Sequence, residues 1–172
     1  GAGAGATQRG DWFNLDDAAW EDGFSLKFFG AMRLCRAAWP HLMQNNGSIV
    51  NIAGIGGRAG SADFTIGGSV NAAIMHLTKS LADRGTHDGV RVNAINPGSI
   101  ETGRLTKRID VYAKENGLSV LQAGEAMAKA AGVARFGQPR EVASAIAFLA
   151  SEAAGYINGA ILEVDGGATR SI

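Results

Sequence analysis

The sequence predicts an α/β protein in which helices cover both faces of a parallel sheet. Three short apolar runs are typical of buried strands, and longer stretches with helical periodicity stand before and between them. Strands that alternate with helices are joined by right-handed crossovers, and such crossovers make a sheet parallel. The 172 residues, 46% of them hydrophobic, suffice for one core, so residues 1–172 are expected to form a single domain.

Each element has its own local signal. Apolar residues recur from Val70 at steps of i, i+3, i+4, i+7 and i+11, which predicts one face of a helix. Pro139 suits the first turn of a later helix, and Pro40 is expected to bend an earlier one. The predicted elements, in chain order, are a short helix capped by Asp16 or Asp17 and reaching Trp20, a helix at about 24–43, a strand at 48–53, a helix at about 68–84, a strand at 90–95 closed by a turn at 96–98, helical segments over 103–131 divided near 116–117, a helix at 139–150 and a strand at 160–164.

Composition and charge exclude several classes of function. Sixteen basic residues balance sixteen acidic ones, so no net field would attract nucleic acid or a membrane surface. No apolar run approaches the ~18 residues of a membrane span. The single cysteine, Cys35, is expected to be a buried small hydrophobe, and the histidines lack the spacing of metal ligands. Without a signal peptide at its start, the chain is expected to be cytoplasmic.

Two glycine-rich stretches match the loose dinucleotide-binding pattern G-x-G-x-x-G/A. Residues 1–6 have no strand before them, and residues 54–59 stand about ten residues ahead of the next predicted helix. Neither context suits a pyrophosphate at a helix N-terminus. The turn after the second strand is more informative, because ligands of open parallel sheets bind beyond the carboxyl ends of strands. Its candidate ligand-binding residues are Pro97, Gly98, Ile100 and Thr102, although an ordinary strand-to-helix turn also fits.

Several stretches together resemble the short-chain dehydrogenases/reductases. They cover nearly the whole chain, in order, and are SIVNI at 48–52, AA at 72–73 with LTKSLA at 77–82, VRVNAINPG at 90–98, RFGQPREVA at 135–143 and VDGG at 164–167. The resemblance implies a Rossmann-type doubly wound parallel sheet, of which this sequence is the carboxyl-terminal portion. It also implies NAD or NADP as cofactor, hydride transfer between an alcohol and a ketone, and a homo-oligomer, either a dimer or a tetramer.

The family's opening β-α-β units, with their TGxxxGxG loop and most of the adenosine site, have no counterpart in this sequence. The first of the three strands is therefore expected to expose an apolar edge. Such an edge invites pairing with another chain. Either a larger polypeptide or another copy of the chain is expected to cover it.

The resemblance also places the family's catalytic positions on this chain. Its tyrosine and lysine fall on Gly67 and Asn71, its serine falls on Gly54, and its helix asparagine falls on Ser25. Glycine has no proton to give and Asn71 has no charge, so tyrosine-dependent hydride transfer is expected to be lost or rerouted.

Two other functions stay open. One is an enzyme with a replacement acid, for which the candidates are Asp63, Thr65, Tyr112, Lys107 and Lys114. The other is a non-catalytic subunit that binds a small molecule or assembles with its own copies through the helices from about Phe24 and Gly68. The aromatic residues are expected to pack the long helix against the sheet or a sister subunit, and they are Trp12, Phe13, Trp20, Phe24, Phe28 and Phe29.

Overall fold

The computed structural model describes residues 7–170, so the glycine-alanine repeat at 1–6 lies outside the described residues. The chain forms a three-stranded parallel sheet of β1 (Ser48–Ile52), β2 (Arg91–Pro97) and β3 (Ile161–Val164), in the order β1-β2-β3. Ser48 pairs with Arg91, and Ala94 pairs with Ile161. The predicted α/β fold with a parallel sheet is confirmed.

Helices account for most of the remaining chain. Within residues 7–170 they are α1 (Asp17–Phe24), a π-helical segment (Ser25–Gly30), α2 (Ala31–Met43), α3 (Thr65–Asp88), α4 (Gly103–Asn116), α5 (Val120–Ala130) and α6 (Pro139–Ala150). Helix α3 lies against β1 and β2, and α6 contacts all three strands. None of these helices is both long and apolar enough to cross a membrane.

The helices α1 and α2 form one continuous run through the π-helical segment, rather than two separate helices. The Asp16 carboxylate caps α1 by accepting the Ala19 N–H at 2.9 Å, as the sequence predicts. A π-helical turn holds one more residue than an α-helical turn, so it changes which side chains face inward after Phe24. Pro40 lies inside α2.

Helix α3 is 24 residues long and is the most buried helix of the fold. It begins at Thr65, three residues before the predicted start, because Gly67 and Gly68 hide the helical pattern. Its buried face carries Ile66 and Val70, which are completely inaccessible. It ends at Asp88, and the next residue, Gly89, has a φ of +71°, the left-handed conformation that glycine adopts at helix ends.

The edge strand β1 is less buried than its sequence predicts. Of its residues only Asn51 is buried, and Ile52 is 45% exposed. Within the described part of the chain β1 pairs with β2 alone, so the expected apolar edge is present. In contrast, the central strand β2 is buried over residues 92–96.

The aromatic residues before the sheet contribute to the core in part. Trp20, Phe24 and Phe28 pack against a cluster that includes Ile66 and Val70 of α3. Their rings contact one another in sequence, with centroids 6.5 and 5.9 Å apart. This segment therefore packs mainly against α3, whereas packing against the sheet or a sister subunit was expected. By contrast, Trp12 and Phe13 are largely exposed.

Candidate functional site

The carboxyl ends of β1 and β2 meet the beginning of α3 at one edge of the sheet. Just beyond β1, the Gly54 N–H donates to the side-chain oxygen of Asn96 in β2 at 3.1 Å. A Cβ atom on Gly54 would lie 3.0 Å from the Asn71 amide nitrogen in α3. Two positions to which the resemblance assigns catalytic roles, 54 and 71, are therefore in direct contact.

A phenyl ring fills the space beside Gly67. A Cβ atom on Gly67 would lie 2.1 Å from two carbons of the Phe64 ring, and one on Gly56 would lie 2.8 Å from the same ring. The Arg9 guanidinium lies 3.9 Å from the ring centroid, within the range of a cation–π contact. Phe64 thus occupies the volume that any side chain at position 67 would need.

Lys27 reaches this site from the π-helical segment. Its ammonium group donates to the backbone oxygen of Ala53 at 3.0 Å and to the side-chain oxygen of Asn71 at 2.5 Å. Asn71 is only 4% exposed, so its amide is held in place. Burial lowers the pKa of Lys27, and the positive charge of Arg104 lowers it further.

The resemblance places the family's helix asparagine on Ser25, and the sequence alone did not identify Lys27. Ser25 is exposed, and its hydroxyl makes no hydrogen bond to any residue between 7 and 170. The π-helical segment alters the facing of the residues that follow Phe24, which counting along the sequence does not reveal. The available signal was that Lys27 is the one charged residue in the otherwise uncharged stretch 24–32.

The turn after β2 presents backbone groups to its surroundings. The Gly137 N–H donates to the Ser99 oxygen at 3.0 Å, and the Glu101 N–H donates to the Gly137 oxygen at 2.8 Å. Because of this pairing, the N–H and C=O of Ile100 point away from Gly137, and neither has a backbone partner within residues 7–170. The Thr102 hydroxyl, at the beginning of α4, makes no capping hydrogen bond.

Packing explains Gly98 in the same turn. A Cβ atom on Gly98 would lie 2.9 Å from the Cα of Asp165, just beyond β3, so the two chain segments touch there. The Gly98 N–H donates to the Val164 oxygen at 3.1 Å, and Pro97 is the last residue of β2 rather than part of the predicted turn. A cavity of about 430 Å³ opens beside these residues and is lined by Ser99, Ile100 and Glu163 among others.

A polar network holds the loop after β1 in place. The Asn96 amide nitrogen donates to Glu163 at 3.0 Å, and the Arg58 guanidinium donates to the same carboxylate oxygen at 2.9 Å. Asn96 is completely buried. The glycine-rich loop 54–60 is thus tied across β2 to β3.

The other candidate acids make no hydrogen bond to Lys27 or Asn71 among the described residues. Asp63 is exposed, and a hydrogen bond from Ser61 and then the charge of Arg9 lower the pKa of its carboxyl, which makes it a poor proton donor at neutral pH. Tyr112, Lys107 and Lys114 are exposed on α4. The Thr65 hydroxyl is buried without a hydrogen-bond partner among the described residues.

Cys35 is 6% exposed, which confirms the prediction of a buried residue. Burial raises the pKa of its thiol, so the reactive thiolate is disfavoured. Between residues 7 and 170, no three His, Cys, Asp or Glu side chains come together as metal ligands would.

Comparisons with known proteins agree with this architecture. The family described as "Enoyl-(Acyl carrier protein) reductase" matches residues 2–169. A 3-oxoacyl-[acyl-carrier-protein] reductase of Thermotoga maritima is 32% identical over 165 residues, which are 95% of this chain and 63% of that protein. The L-fucose dehydrogenase of Oryctolagus cuniculus is 38% identical over 143 residues, which are 83% of this chain and 48% of that protein.

Two solved structures are similar over 98% of this chain. One is the L-sorbose reductase of Gluconobacter frateurii complexed with NADPH and L-sorbose, with a TM-score of 0.91, 30% identity and 65% of that chain covered. The other is an NADPH-bound short chain oxidoreductase of Pseudomonas aeruginosa described as containing an atypical catalytic center, with a TM-score of 0.87, 28% identity and 64% of that chain covered. The chain therefore spans less than two thirds of the length of these relatives.

Proposed function

Because the chain belongs to the short-chain dehydrogenase/reductase family, we propose that it is the carboxyl-terminal part of an NAD(P)-linked oxidoreductase that interconverts an alcohol and a carbonyl compound. The observation that carries the proposal is the meeting of Gly54, Asn71 and Lys27 at the carboxyl edge of the sheet, beside the turn that contains Ile100. Ligands of open parallel sheets bind at this edge. Both structures with TM-scores of 0.87 and 0.91 hold NADPH.

The turn after β2 fits the nicotinamide half of a dinucleotide. The unpaired N–H and C=O of Ile100 form one donor and one acceptor on the same residue, and a carboxamide needs one of each. The free Thr102 hydroxyl adds a third polar group, while Pro97 and Gly98 shape the turn. A reduced nicotinamide bound there would supply the hydride. The choice between NAD and NADP lies outside these residues.

We propose further that proton transfer is rerouted from the usual tyrosine and lysine. At the positions implied by the resemblance, Gly54 has no hydroxyl, Gly67 has no side chain and Asn71 has no charge. The Phe64 ring, which fills the space beside Gly67, has no proton to donate. Loss of a positioned proton donor costs about 10² to 10⁴ in rate, so a working enzyme needs another group in this place.

A second candidate function is a non-catalytic subunit that binds a small molecule or assembles with its own copies. The Phe64 ring favours this alternative, because it closes the space in which a phenol would meet a substrate.

We also propose that the chain forms a homo-oligomer. An exposed apolar stripe on the helical run 17–43 supports this proposal, and it consists of Leu26, Phe29 and Leu34.

Isothermal titration calorimetry of the intact protein with NADPH, and separately with NADH, tests the nucleotide site. We expect one of the two to bind, and we expect Ile100→Pro to weaken binding by about tenfold because it removes the free N–H. Ile100→Val, which keeps that N–H, is the matched control. A wild-type protein that binds neither nucleotide overturns the proposal, whereas binding without oxidation of NADPH or NADH by any carbonyl compound selects the non-catalytic subunit.

A further inference from the structure

We propose that Lys27 is the proton donor of this site, and that its ammonium group, held between the Ala53 oxygen and the Asn71 side chain, gives a proton to the carbonyl oxygen of the substrate. This inference rests on the proposed oxidoreductase function. It assigns a catalytic role to the residue two positions after Ser25, the position on which the resemblance was taken to place the helix asparagine.

The placement of Lys27 is a tertiary feature. Its two partners lie 26 and 44 residues away along the chain, one just beyond β1 and the other in α3. Phe28, its neighbour in the π-helical segment, packs against the core and fixes the backbone from which Lys27 extends. The ammonium group therefore stands at a defined point beside Gly54 and Asn71 rather than moving freely in solvent.

The hydrogen-bond count leaves one donor free. An ammonium group has three N–H bonds, and Lys27 uses two of them on Ala53 and Asn71. The third has no partner within residues 7–170. A substrate carbonyl oxygen is an acceptor that can take this remaining N–H.

Lys27 also supplies, beside Asn71, the positive charge that the asparagine side chain lacks. Position 71 is uncharged, yet its side-chain oxygen holds a cation at 2.5 Å. The positive charge of Arg104, at the beginning of α4, repels the ammonium group of Lys27. The two hydrogen-bond acceptors of Lys27, the Ala53 backbone oxygen and the Asn71 side-chain oxygen, are both neutral. Burial and this second positive charge lower the pKa of Lys27, so its ammonium is a stronger acid than an ordinary lysine.

The step balances with the hydride donor already proposed. When a C–H bond of the reduced nicotinamide breaks and its hydride bonds to the carbonyl carbon, the π electrons of the C=O bond move to the oxygen. An N–H bond of Lys27 breaks, its electrons stay on nitrogen, and the proton joins the oxygen to complete the alcohol. The neutral amine then takes a proton from water.

Substitution of Lys27 separates a catalytic role from a structural one. We expect Lys27→Met to lower the rate of carbonyl reduction by at least about 10²-fold while the protein still binds nucleotide. Lys129→Met, an exposed lysine on α5, is the matched control and should leave the rate unchanged. The wild-type rate should fall as the pH rises through the pKa of Lys27, and Asn71→Asp should move this fall to higher pH because a carboxylate stabilises the ammonium.

A titration by nuclear magnetic resonance gives a readout that does not depend on turnover. In protein labelled with ¹³C at the lysine ε carbon, Lys27→Arg identifies the Lys27 signal. We expect this signal to titrate below the ordinary lysine pKa of about 10.4 and to move upward in Asn71→Asp. An ordinary pKa, or an unchanged rate and pH profile in Lys27→Met with nucleotide still bound, overturns the role of Lys27 alone. Absence of nucleotide binding by the wild-type protein overturns the proposed function itself.

Discussion

At the scale of single residues, Gly67 and Phe64 act as a pair. The ring of Phe64 lies where the side chain of residue 67 would begin, 2.1 Å from a Cβ atom at that position. Simply placing a tyrosine at position 67 would therefore displace the ring. The packing of α3 against the loop before it therefore leaves no room for a phenol at this site.

The pair gives a stability prediction. Gly67→Ala should lower the free energy of unfolding by about 1–3 kcal/mol, because the added methyl group overlaps the Phe64 ring. Denaturant unfolding measures the change. The control is Gly124→Ala in α5, where the nearest atom to the added carbon is 4.0 Å away and stability should rise by up to about 1 kcal/mol.

The same pair can be examined by a double-mutant cycle. In a Phe64→Ala background, Gly67→Ala should cost much less, because the overlapping ring is gone. Equal costs in both backgrounds would show that the ring does not restrict position 67.

At the scale of elements, the beginning of α6 depends on one carboxylate. Glu141 accepts hydrogen bonds from Arg135 at 2.7 and 2.9 Å and from the backbone N–H of Gln138 at 2.7 Å. The Glu141 carboxylate thereby caps the first turn of α6, and Pro139 is the first residue of that turn. The bonds from Arg135, followed by the backbone bond, lower the pKa of Glu141 from 4.5 to about 2.

This pKa shift predicts a pH dependence of stability. The folded protein holds the Glu141 proton less tightly than the unfolded chain, so the stabilisation is complete above about pH 4.5 and is lost as the pH falls toward 2. Glu141→Gln should be less stable than wild type at pH 7, and the difference should shrink across this window. Urea unfolding at several pH values measures it, with Glu125→Gln on α5 as control. A difference independent of pH would contradict the prediction.

The regular elements were largely predictable because their signals are local. Gly117 and Pro139 mark the end of α4 and the beginning of α6 where the sequence indicates, and β2 merely extends two residues further than predicted. The start of α3 was missed because Gly67 and Gly68 are poor helix formers that tertiary packing retains. The low burial of β1 follows from its place at the sheet edge, which its apolar sequence does not encode.

The site was predictable only at the positions that the family resemblance places on this chain. The resemblance names positions 54 and 71, and the structure brings them into contact. Lys27 and Phe64 could not be identified in the same way. The π-helical segment determines which way Lys27 faces, and the Phe64 ring packs in the space left by the missing side chain of Gly67. Both arrangements depend on packing between segments distant in sequence.

At the scale of the whole molecule, two of the exposed apolar surfaces within residues 7–170 are candidates for a contact between copies of the chain. One is the edge of β1, where Ile52 is 45% exposed. The other is the stripe of Leu26, Phe29 and Leu34, which are 49%, 40% and 61% exposed. All three residues belong to the helical run 17–43, and each is exposed over at least two fifths of its surface.

The stripe provides the test of assembly. If it forms the contact between copies, light scattering of the wild-type protein should give the mass of a dimer or tetramer, and Leu34→Glu should reduce that mass, because it places a charge in an apolar interface. Leu121→Glu is the matched control, since Leu121 is 72% exposed on α5, away from the stripe. A wild-type monomer would contradict the homo-oligomer, whereas an unchanged oligomer in Leu34→Glu would place the contact elsewhere, with the β1 edge as the next surface to substitute.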